Sequence, residues 1–153
     1  MCCICVYGGG YGLHVAFAED ITTPITNGDN VFTGDSSINV NNGAAIKVNG
    51  GNETNITINE GTLLIEGYDW DGAAYVSGGG KLNFYGGDIT LENKYNAYYV
   101  DTVRVNGIDS KVSFHNENTL IKGKSSYGLS LINGAAGYAE NLIIALDRSG
   151  GTF

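Results

Sequence analysis

Short runs of alternating apolar and polar residues return in groups of three along most of this chain, and that repeat limits its fold more than any other feature. Units begin at Gly43-Ala44-Ala45, Gly72-Ala73-Ala74, Ala97-Tyr98-Tyr99 and Gly128-Leu129-Ser130, so successive starts lie 29, 25 and 31 residues apart. The first unit carries Ala45 to Val48, Asn55 to Ile58 and Leu63 to Ile65. The second carries Ala74 to Val76, Leu82 to Tyr85 and Ile89 to Leu91. Tyr99 to Val105, Val112 to Phe114 and Leu120-Ile121 make the third. The fourth opens with Leu129 to Ile132 and continues through Leu142 to Leu146. Alternation at period two places one side chain inward and the next outward, the mark of a strand. Between the runs stand Asn49-Gly50-Gly51, Glu60-Gly61, Gly78-Gly79-Gly80, Gly86-Gly87-Asp88 and Asn106-Gly107, residues that tolerate sharp corners.

An antiparallel β-sandwich uses strands of the same length, so strand content does not choose the architecture. The period does. One turn of a triangular parallel helix needs about 25 to 30 residues at roughly 3.3 Å per strand residue. Equivalent inward positions also carry like residues, Val48 with Val76 and Val105, and Ile58 with Phe84 and Phe114. The expected fold is therefore all-β: a right-handed parallel β-helix solenoid of about three to four rungs, residues 43–153, behind an N-terminal cap over residues 19–42.

Residues 1–18 read differently. They hold Cys2, Cys3 and Cys5, which are all the cysteines, and no charged residue. Small residues at Ala16 and Ala18 precede Glu19-Asp20, the pattern of a signal-peptidase site with cleavage between Ala18 and Glu19. The apolar run is too short for a membrane-spanning helix. No Lys or Arg occurs before Lys47, so the basic opening of such a leader is missing, and a start upstream of Met1 is expected. The competing reading is a Gly-rich leader on a cytosolic protein. After cleavage the chain has no cysteine and relies on core burial and backbone hydrogen bonds. Eight basic against sixteen acidic residues give a net charge of −8, which disfavours nucleic acid and anionic lipid as partners.

The Gly-Ala-Ala units at 43–45 and 72–74, the Asn49-Gly50-Gly51 turn and the Ala-x-Ala site ahead of Asp20 to Pro24 resemble the amino end of a pectin-lyase-like autotransporter passenger. The resemblance spans nearly the whole chain and rests on texture and spacing. It implies export, a carboxy-terminal outer-membrane β-barrel in the full-length protein, and a non-catalytic stalk or adhesin at the cell surface. The chain carries no barrel and stops partway through its fourth unit, so a fragment of marginal stability is expected.

Candidate sites lie at the corners. Tyr68 and Trp70, then Tyr95, then Tyr127 follow the third run of successive units, where stacking rungs align aromatics along one edge. Such a strip suits a glycan or a protein on a host or neighbouring cell; the plainer reading is aromatic packing that stiffens the corner. Tyr68, Trp70 and Tyr95 are the best-placed ligand contacts. Asp69 and Asp71 read as a solvated acidic loop, with paired glycosidase acids as the less favoured alternative. Arg104 and Arg148 belong to no acidic cluster visible in sequence. Gly34-Asp35-Ser36-Ser37 is a coincidental near-match to a serine-protease motif, because no histidine base accompanies it. No catalytic residue, metal ligand set, phosphate loop or cofactor is expected. The second function class is a β-helical polysaccharide-degrading enzyme whose catalytic rungs are missing, marked by acids with Arg or Lys on adjacent rungs.

Overall fold

A computed structural model describes residues 14–17, 19–97, 99–123 and 127–147. Every ladder between its named strands is parallel, and the strands stack as a β-solenoid of about four turns with no helix among the described residues. One face is a four-stranded sheet of β5 (Ile46–Val48), β7 (Ala74–Ser77), β9 (Asp101–Asn106) and β11 (Tyr127–Ile132). The other two faces come from strands that bend in the middle. They are β6 (Glu53–Gly67), β8 (Lys81–Asn93) and β10 (Lys111–Gly123), each holding two of the runs read from the sequence.

Below them β3 (Gly28–Thr33) and β4 (Ser36–Val40) pair with the two arms of β6, and Ile25 bridges to Ile46. Residues 25–40 thus run in the parallel register of the later rungs. β1 (His14–Phe17) lies beside β3, and β2 (Asp20–Ile21) beside β4. Above, β12 (Ala136–Ala139) and β13 (Leu142–Leu146) cover the two arms of β10. The segment between the two runs of the fourth unit thus holds a further strand, Ala136–Ala139.

The core is a set of columns, one side chain per rung. Val48, Val76, Val105 and Leu131 form one, as the sequence indicated for the valines. Ile38, Ile65, Leu91, Ile121 and Ile144 form another. Most of these are buried, each contributing about 1.5–3 kcal/mol of apolar transfer. Phe84 and Phe114 stack with centroids 5.1 Å apart and planes 1° from parallel. Their partner on β6 is Ile56, not Ile58, which faces Gly86. The shift arises because β6 inserts extra residues at its bend, between Ile58 and Thr62.

Register also revises the unit lengths. Ile46, Ala74, Val103 and Leu129 are equivalent, so the rungs span 28, 29 and 26 residues, more even than the unit starts suggest. Ala97 and Tyr99 fall in the loop before β9 instead of opening a strand. At the upper end Leu131 and Ile144, the last members of their core columns, are 42% and 46% exposed.

Candidate functional site

The best-formed surface feature is the corner between the bent strands and the four-stranded face. It consists of residues 68–73 after β6 and 94–97, 99 and 100 after β8. Gly72, at φ +98°, lets the first loop turn back tightly: a Cβ there would run into the Thr102 carbonyl, which accepts the Ala73 N–H at 2.8 Å. Tyr68 exchanges both backbone hydrogen bonds with Gly43, at 2.9 and 3.1 Å. The loop pushes Trp70 outward, 54% exposed, and seats it against Tyr95 from the rung above, centroids 5.4 Å apart and planes tilted by 55°. Two aromatics that the sequence placed on one edge are thus in contact, with half-buried Tyr68 at the base of the same loop. Tyr99, in the second loop, is 77% exposed and holds φ at +65°, an uncommon conformation for a bulky residue.

One buried side chain ties the two loops together. Asn93, at the end of β8, donates its Nδ2 to the carbonyls of Asp69 (3.0 Å) and Asp101 (2.7 Å), and its Oδ1 accepts the Tyr95 N–H at 3.0 Å. The neighbouring rungs have Gly67 and Gly123 at this register position. Asn93 was not singled out in the sequence because asparagine is common throughout; its place opposite two glycines is the signal that register supplies.

Charge surrounds the aromatic pair. Lys94 bridges Glu66 (2.9 Å) and Glu92 (2.8 Å), which are adjacent on neighbouring strands and repel each other without it. The hydrogen bond to Glu92, then that to Glu66, hold the ammonium above its ordinary range against an opposing desolvation. Arg104 lies between Asp71 (3.3 Å) and Asp101 (3.7 Å). That corrects the sequence reading, which left Arg104 outside any acidic cluster: Asp101 is three residues before it on β9, and stacking brings Asp71 in from the rung below. Arg104 Nε is buried without a hydrogen bond, so its pairing with Asp101 is electrostatic. Asp101 also accepts a short hydrogen bond from Ser130 Oγ. Burial raises the Asp101 carboxyl above its ordinary value, with Ser130 and Arg104 pulling it back. Because the folded value exceeds the unfolded one, Asp101 favours folding below the unfolded value and loses that contribution as pH rises through the folded value.

The other sequence candidates fall elsewhere. Tyr127 is the first residue of β11, paired with Asp101 in register and 50% exposed. Asp69 accepts the Trp70 N–H at 2.6 Å, and with Asp71 held by Arg104 the acidic loop is internally bonded. Ser36 is buried, its Oγ donating to the Gly34 carbonyl at 3.1 Å and accepting the Glu19 N–H at 3.2 Å, a backbone-bracing role. Ala18 and Arg148 lie outside the described residues. Glu19 begins the described chain after the proposed cleavage point.

A second aromatic column escaped the sequence reading. His115 lies on β10 between Tyr85 (5.4 Å, 9°) and Tyr138 (5.0 Å, 32°). Its Nδ1 is 3.5 Å from Glu140, which also accepts the Tyr138 hydroxyl at 3.2 Å. The signal was present: Tyr85 and His115 each follow a phenylalanine, and those phenylalanines are in register. On the same face Asp29, Asn55 and Asn83 form a side-chain ladder (2.8 and 2.9 Å) beside a polar cleft of about 330 Å³ lined by Asn27, Asn52 and Glu53. Among the described residues no three His, Cys, Asp or Glu side chains gather to hold a metal, and no helix is long and apolar enough to cross a membrane. Compared with known proteins, the chain matches no family model, no curated protein and no solved structure.

Proposed function

We propose that this chain is a non-catalytic binding and structural module, a stretch of β-solenoid stalk of the autotransporter-passenger type. On this reading it is exported and displayed at the cell surface or released, and an outer-membrane β-barrel belongs to the full-length protein. Its partner is a protein or glycan on a host or neighbouring cell, contacted through Tyr68, Trp70 and Tyr95. One observation carries the reading: Trp70 is held half-exposed against Tyr95 by loops that share a buried asparagine clamp. A large flat ring fixed in the open loses little entropy on contact. The stack of like residues in columns supports the structural half of the role.

The test is adhesion of the purified chain to cells and to immobilised glycans, wild type beside Trp70→Ala and Tyr95→Ala. Trp70→Ala is expected to weaken binding at least about tenfold, in line with about 2 kcal/mol for a central aromatic contact, while circular dichroism stays that of the wild type. Equal binding by both proteins would remove the corner from the interaction.

The pairing of Arg104 with Asp71 and Asp101 on adjacent rungs favours a second reading, a remnant of a polysaccharide-degrading site. Against it, Asp101 is 7% exposed and already engaged by Ser130, which leaves it poorly placed to exchange a proton with a substrate. Release of reducing or unsaturated ends from pectin or chitin, lost in Arg104→Ala, would establish that reading instead.

A further inference from the structure

We infer that the ligand of the Trp70–Tyr95 corner is an uncharged saccharide and that acidic glycans are excluded from it. This rests on the corner being a binding site at all. The two loops that carry the rings, and the ends of β6, β8 and β9 adjoining them, hold five carboxyl groups, Glu66, Asp69, Asp71, Glu92 and Asp101, and two cations, Lys94 and Arg104. The surplus is acidic. A glycan bearing carboxylates or sulfates meets like charge there, and juxtaposed like charges cost an interface several kcal/mol.

A polycation is poorly served as well. Four of the five acids are already engaged by Lys94 or Arg104, so only Asp69 offers an ammonium a carboxylate without a cation partner. The rings touch at 5.4 Å, so no gap remains between them for a cation to be enclosed on two sides. What the corner offers is an open indole face beside alternating donors and acceptors. A pyranose presents a C–H face to such a ring and hydroxyls to such a rim. Each carboxylate has about four lone-pair sites, so Asp69 and Asp71 can accept sugar hydroxyls while keeping their present bonds.

Trp70 is the single tryptophan of the chain, so its emission reports this corner without a label. The full chain is titrated with cellotetraose, mannotetraose, tetragalacturonate and tetralysine. At least one neutral tetrasaccharide is expected to shift the emission saturably, with tetragalacturonate at least about tenfold weaker. Asp69→Asn, which keeps an oxygen for the Trp70 N–H, is expected to narrow that gap by about threefold through the loss of one nearby charge. Tetragalacturonate binding as tightly as the neutral sugars would overturn the charge selectivity and leave the binding site standing. A response to tetralysine alone would replace the saccharide with a cationic peptide. Silence toward all four probes would overturn the binding reading together with this one.

Discussion

Asn93 occupies a position where the rungs on either side have Gly67 and Gly123, and from there it serves three backbone groups of two loops. Replacing it with glycine suits the backbone and isolates the clamp. Asn93→Gly leaves two carbonyls and one N–H without their partner, so stability is expected to fall by about 1–3 kcal/mol. Ligand binding should fall further than stability does, and Trp70 emission should move to the red as Tyr95 leaves it. Chemical denaturation read alongside fluorescence checks this; an unchanged spectrum would mean the loops hold their shape alone. At this scale the sequence was only partly legible. It marked Tyr68, Trp70 and Tyr95 by their place after each third run. It did not reveal Asn93 with the Asp69 carbonyl, Arg104 with Asp71, or His115 between its tyrosines, because each of those partnerships is made between rungs and depends on register.

Elements were more legible, and their errors share one cause. Every run of alternating residues in the four units contains strand, the third unit's first run only from Asp101 onward, because period-two patterning has few other outcomes once one face is buried. Pairs of runs fused across a bend into β6, β8 and β10, where Gly61, Gly86-Gly87 and Asn116 to Asn118 respectively carry the chain around. Misplacement began where a bend or loop changes length. Three residues at 59–61 of β6 stand opposite one in β8, which offsets Ile58 from the phenylalanine column when units are aligned on their third runs, and Tyr99 and Val100, which precede β9, displaced the start of the third unit. The bend of β8 depends on Gly86, at φ +86°, where a Cβ would strike the Ile58 carbonyl. Gly86→Ala combines a forbidden conformation with a backbone collision, and a loss of about 2–4 kcal/mol is expected. Its thermal midpoint compared with Gly51→Ala, a positive-φ glycine with open space around its missing Cβ, separates collision from conformational strain. Equal losses would assign the whole cost to φ.

As a whole the molecule is a one-dimensional stack, and its protection against opening should follow position in the stack. β6 and β8 are paired along both edges, whereas β12 and β13 are paired only with β10 among the described strands. Hydrogen exchange is expected to release the amides of β11 to β13 first and those of β6 and β8 last; uniform protection would show that the stack opens as one unit.

The shared parallel register has a mechanical meaning as well. All strands lie across the stacking direction, so tension applied along that direction loads the ladder bonds of one interface at a time, like a zipper and not like a shear joint. Each rung of 28 or 29 residues between equivalent positions that lets go adds on the order of 100 Å of slack chain. A solenoid built this way yields in steps under a pulling load, lengthening while its remaining rungs stay folded.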